Sequence, residues 1–181
     1  MSPNDETRFP LASGMPLCNP GDLKAAIRKG QRLIGLDVGT KTIGMALSDT
    51  ELMVGTPLAT IRRTRFRDDA ARILAEIDRH DVGAVVIGLP LALDGRDSPR
   101  TQGVRQFARN LMGYRDVPVV FWDERLSTAA VERAMIAADL SRKRRAETID
   151  RAAAAYILQG LLDRIRNAAA IPLSPPGRGM G

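Results

Sequence analysis

Three carboxylates, Asp37, Glu124 and Asp150, stand where they could act together. Asp37 ends the short apolar run RLIGLD and precedes a glycine turn. Glu124 ends VPVVFWDE, just after Asp123. Steps of four, three, four and four residues lead from Asp150 through Ala154, Ile157 and Leu161 to Ile165. Asp150 therefore heads the apolar stripe of a final helix, in its first turn, and faces inward. Carboxylates packed together repel, and are stable only with protons, basic partners or a bound cation. Hard oxygen ligands with open positions suit Mg2+ or Mn2+. A pair of such ions can activate water and stabilise the leaving oxygen of a phosphodiester. Each residue also has a plainer reading. Asp37 could be a turn aspartate, Glu124 an ion-pair partner of Arg125, and Asp150 a partner of the helix dipole.

Groups that could bind phosphate lie beside them. In GLDVGTKTIG, Gly35, Gly39 and Gly44 permit tight turns and close backbone approach, while Thr40 and Lys41 add a hydroxyl and a cation. The loop LALDGRDSPR could reach a substrate through Arg96 or Arg100, or be a plain surface crossover. Arg125 follows Glu124, and Ser127 or Thr128 is a candidate helix cap with a phosphate contact as a second role. The basic run Arg142, Lys143, Arg144 and Arg145 is a solvated connector or, given its place near Asp150, a nucleic-acid contact. Arg62, Arg63, Arg65 and Arg67 form a second, weaker cluster. His80, the sole histidine, closes a helix, where a dipole role is favoured over catalysis. Trp122 reads as core and Cys18 as incidental.

The elements that must position these groups follow from periodicity. Residues 32–37 and 42–49 form an antiparallel hairpin, and 52–61 a third strand interrupted at Gly55 and Pro57. Residues 68–80 have helical spacing, and 84–90 are a continuous apolar run, a strand buried on both faces. Ser98 and Pro99 open a helix ending near Gly113; 117–124 is another buried strand; 128–138 and 148–165 are two more helices. Three meandering strands followed by alternating helices and strands imply an α/β fold. Its mixed five-stranded sheet has three antiparallel strands, then parallel ones, with helices on both faces. Functional groups gather at the carboxyl ends of parallel strands, where Asp37 and Glu124 fall. The domain spans 31–167, preceded by an arm at 1–30 with a short helix at 22–29, and followed by a disordered tail at 168–181.

The 181 residues fit one compact domain. No apolar run is long enough to span a bilayer, no export signal is visible, and the single cysteine cannot form an internal disulfide. A cytoplasmic location is expected. The net charge of +6 comes from 27 basic residues, all but four of them arginine. Arginine pairs bidentately with phosphate, so the excess suits a nucleic-acid partner, although codon bias would give the same count. Aromatic residues make up only 4%, which favours backbone contact over base stacking.

Four blocks, GLDVGTKTIGMALSD, VIGLPLALDG, DERLST and IDRAAAAYILQ, in this order, resemble the signature blocks of the YqgF/RuvX family. The resemblance implies an RNase H-like fold related to Holliday junction resolvases, and a nuclease that processes the 5′ end of pre-16S rRNA. The family's three acidic positions fall on Asp37, Glu124 and Asp150. Thr42 stands where relatives often have arginine or serine, and Ala146, Glu147 and Thr148 where some have lysines, which bears on substrate contacts. The expected protein is a metal-dependent endonuclease for structured RNA, with a pre-rRNA or ribosomal precursor particle as partner. Its three carboxylates would hold Mg2+ or Mn2+, and Lys41 and Arg125 would steady the phosphate. It would act as monomer or homodimer. A Holliday junction resolvase is the first rival and predicts a dimer, since two symmetric strands are cut. A non-catalytic assembly factor is the second. A small nucleotide-binding protein is disfavoured by size.

Overall fold

The computed structural model describes residues 20–126 and 142–170. The expected helix at 128–138 lies outside the described residues, as do Cys18, Ser127 and Thr128.

Five strands form one sheet: β1 (Arg32–Val38), β2 (Thr42–Ser48), β3 (Gly55–Arg62), β4 (Val82–Leu89) and β5 (Val119–Asp123). Their spatial order is β3-β2-β1-β4-β5. β1 pairs antiparallel with β2, and β2 with β3. β4 lies parallel to β1, and β5 parallel to β4. This is the mixed sheet of the RNase H-like fold. Pro57 is accommodated because β3 is an edge strand and the ladder shifts register opposite it, between Met45 and Ala46.

Alternation along each strand sorts the side chains onto two faces. On one face, Ile34, Leu36, Ile43, Met45, Val85 and Ile87 meet helices α2 (Phe66–Arg79) and α3 (Pro99–Tyr114) in one core. On the other, Leu33, Ala46, Ala84, Val86 and Val120 meet the one-turn helix α1 (Leu23–Ala26) and the long helix α4 (Arg142–Ala170). This second face is floored by glycine and alanine, and α4 lies close upon it. A Cβ on Gly35 would stand 2.9 Å from both the Ala154 carbonyl oxygen and Leu158 Cβ. A Cβ on Gly44 would collide with the Asp150 carbonyl. Gly35 and Gly44, expected to admit a phosphate, are thus taken by the helix.

The ends of several elements differ from the sequence expectation. The final helix begins at Arg142 rather than 148 and continues to Ala170, past the expected tail boundary. Residues 142–147 offer no apolar stripe, so periodicity is silent there, although they are mostly strong helix formers. Asp150 consequently lies in the third turn, beyond the reach of the helix-dipole reading, which holds only within the first turn. The basic run 142–145 is helical in backbone rather than a connector. The short helix expected at 22–29 is a single turn, Leu23–Ala26. His80 closes α2 as its cap residue, with Nε2 3.2 Å from Glu76 Oε2.

Candidate functional site

Alternation in β1 turns Leu33, Gly35 and Asp37 toward α4, opposite to Ile34 and Leu36. Asp37 is directly opposite Gly44 in the β1–β2 ladder, and Gly44 lies under the Asp150 backbone. The missing side chain at Gly44 therefore lets α4 bring Asp150 over the end of β1. Glu124 is placed from the other side. It does not end β5, which stops at Asp123, but opens a short 3-10 turn, Glu124–Leu126. A Cβ on Gly88 would stand 2.6 Å from Glu124 Oε1, so β4 too makes room for a carboxylate.

The three carboxylates form a pair and a neighbour. Asp37 and Glu124 share a side-chain hydrogen bond. Burial, then the charges of Glu124 and Asp150, lift Asp37 to about 7. Burial likewise raises Glu124, while the Arg100 cation opposes the rise in both. Two carboxylates this close disfavour each other's charge, so their titrations are linked. Asp150 is within charge range of Asp37, but its Oδ2 accepts a 2.6 Å hydrogen bond from Thr42 Oγ1. Sequence reasoning took Thr42 for a changed substrate contact. The signal for its role was the alternation that puts Thr42 and Gly44 on one side of β2.

The donor set can be tested against the implied cation. Among the described residues no group of three His, Cys, Asp or Glu side chains is gathered tightly enough to hold a metal ion. Asp37 adjoins Glu124 and feels the charge of Asp150, which is bonded to Thr42. In chemistry the set fits a hard divalent cation. Asp37 and Glu124 are oxygen donors whose charged forms a cation would favour, and Asp150 is a third such donor within charge range of Asp37.

The expected phosphate contacts divide. Thr40 and Lys41 are exposed in the β1–β2 turn. That turn is held by Arg63, which donates from its backbone N to the Lys41 carbonyl (2.8 Å) and from Nη1 to the Gly39 carbonyl (2.8 Å). Arg63 also lies 5.6 Å from the Phe107 ring centroid, so this member of the second basic cluster is a structural clamp. Arg96 is ion-paired with Asp94. Arg125 pairs with Asp123, not with Glu124, and reaches the Ala92 and Leu93 carbonyls, tying the 90–98 loop to the end of β5. Trp122 is half-buried against Gly160 of α4. Side chains of the basic run 142–145 lie outside the described residues.

A mixed sheet of this strand order, with a half-buried pair of carboxyl groups at its carboxyl edge, defines the class, an RNase H-like domain. The family model described as "RuvX: Holliday junction resolvase" matches residues 31–164, and the chain belongs to that family. It is an enzyme of the phosphodiester-cleaving hydrolases. A protein of Paramagnetospirillum magneticum named "Putative pre-16S rRNA nuclease" is 56% identical over 149 residues, covering 82% of this chain and 96% of that one. One of the same name from Methylocella silvestris is 55% identical over 145 residues, covering 80% and 90%. Among solved structures, T. thermophilus RuvC in complex with Holliday junction substrate aligns with a TM-score of 0.47 at 14% identity, covering 75% of this chain and 96% of that one. No helix among the described residues is long and apolar enough to cross a membrane.

Proposed function

We propose that the protein is a metal-dependent endonuclease that processes the 5′ end of pre-16S rRNA during ribosome biogenesis in the cytoplasm. Asp37, Glu124 and Asp150 hold one or two Mg2+ or Mn2+ ions in this reading. The observation that carries it is the meeting of Asp37 at the end of β1, Glu124 just past β5 and Asp150 of α4 over Gly44, at the carboxyl edge of the sheet. The shared name of the relatives supports the RNA substrate.

When bound, a divalent cation supplies polarisation of the phosphodiester and an activated water. The chain's own residues do the rest. Asp37 and Glu124 would present carboxylate oxygens to that cation from β1 and from the turn after β5. Thr42 fixes one oxygen of Asp150 and so sets the direction of the other. Lys41 stands exposed at the β1–β2 turn, where it can offset the charge of an incoming phosphate.

The description of the family as Holliday junction resolvase favours a second reading, the same chemistry on branched DNA by a homodimer. Cleavage of a pre-16S 5′ fragment, a four-way DNA junction and single-stranded controls, each with and without Mg2+, tests the two. The proposal expects cuts in the pre-rRNA fragment only with metal. Preferential, symmetric cutting of the junction would replace it with the second reading.

A further inference from the structure

The arginines of the 90–98 loop and its surroundings are mostly neutralised. Arg96 is bound to Asp94, Arg105 to Asp97 and Arg125 to Asp123. Arg100 is different. Among the described residues its guanidinium makes no hydrogen bond or ion pair within 4 Å, and it is exposed. Its backbone is rigidly placed. Ser98 and Thr101 form a reciprocal cap at the start of α3, with Pro99 in the first turn. The Thr101 hydroxyl also donates to the Pro90 carbonyl, which fastens this first turn to the end of β4. Leu89 in turn lies opposite Asp123, and Gly88 lies under Glu124. Arg100 thus stands on a fixed helix turn fastened to the end of β4, the strand whose Gly88 lies under Glu124. Its charge acts on both Asp37 and Glu124 without bonding to either.

A second free cation lies on the other side. Lys41 makes no side-chain hydrogen bond or ion pair among the described residues, and it sits in the turn between β1 and β2. In the order β2-β1-β4 the two cations bracket the end of β1, which carries Asp37. Two cations on opposite sides of the Asp37 strand end suit two phosphates of one strand better than a single phosphate.

Given the nuclease reading, on which this rests, we infer that the substrate strand crosses the carboxyl edge of the sheet from Lys41 to Arg100, and that Arg100 grips a phosphate on the α3 side of the cut. Arginine suits this task because its planar fork donates two parallel bonds to phosphate oxygens. The strand's polarity follows from which flanking phosphate each cation holds.

Single methylphosphonate groups, which remove one phosphate charge, provide the test. They are placed one at a time across the cleavage position of a pre-16S 5′ fragment, and affinity and cleavage are measured for wild type, Arg100→Ala and Lys41→Ala. Wild type should be sensitive at flanking positions on both sides of the cut. Arg100→Ala should lose sensitivity at one side only, Lys41→Ala at the other, and each should lower the salt slope of binding by about one. Arg100→Lys should restore the salt slope while leaving cleavage reduced. Circular dichroism checks folding, and alanine at this exposed helix position is well tolerated. If wild type cuts but Arg100→Ala keeps every sensitivity, or both variants go blind to the same phosphate, the path is wrong. If wild type neither binds nor cuts any fragment, the nuclease reading itself falls.

Discussion

Asp37 is a carboxyl group placed where its charged form is disfavoured. Burial and two neighbouring carboxylates lift it to about 7 from 3.8. A group whose folded value is raised contributes stability below its unfolded value and loses it as pH climbs through the folded value. The metal-free protein should therefore lose on the order of 2–4 kcal/mol between pH 4 and 7.5, a loss that Asp37→Asn largely removes. Urea unfolding in EDTA across that range measures the difference between the two curves. Thr42 acts on the third carboxylate. Thr42→Val should cost about 1.5 kcal/mol, the usual worth of a hydrogen bond to a charged group, and Thr42→Ser should restore most of it. Equal stability of the valine variant and wild type would show that the bond to Asp150 contributes nothing. At this scale the sequence identified residue types better than partners. The excess of arginine was plain, but which arginines are tied down depends on neighbours such as Asp94, Asp123 and the Gly39 carbonyl, none of which periodicity reports.

Helix α4 is the element that decides whether the site exists, because it alone carries Asp150 to the sheet. Its approach depends on glycine at positions where any side chain would intrude. Gly44→Ala should destabilise by about 1–3 kcal/mol, as overpacking does, and should push Asp150 away from Asp37. Gly103, inside α3, faces open space. Gly103→Ala should instead stabilise by about 0.5–1 kcal/mol through helix propensity alone. Thermal unfolding of the two variants beside wild type should show shifts of opposite sign. Strands β1, β4 and β5 and helices α2 and α3 were legible within a few residues because apolar runs, helical spacing and the Ser98–Pro99 start signal mark them. The start of α4 was not legible, since the sequence RKRRAE at 142–147 offers no apolar stripe to announce a helix. The glycines misled for a related reason. Gly35 and Gly44 look like turn residues in a single chain, and only the packed helix shows that they lie within strands beneath α4.

Across the whole molecule, the charge of +6 supplies a general attraction for nucleic acid, and the carboxylate pair is a local exception to it. A bound cation, as proposed, would reconcile the two by neutralising the site that would repel a phosphate. Ligand binding stabilises only the state that binds. Mg2+ should thus raise the Tm of wild type more than that of Asp150→Asn, and equal shifts would place Asp150 outside the metal site. The central claim is that these carboxylates form a metal-dependent nuclease centre. Its most direct test is Mg2+-dependent cleavage of the pre-16S 5′ fragment by wild type and by folded Asp37→Asn. The account predicts cutting by wild type only in the presence of Mg2+, and a fall of roughly a thousandfold or more in the variant, in keeping with loss of metal-assisted catalysis. Wild-type cleavage rates in the Asp37→Asn protein would contradict it.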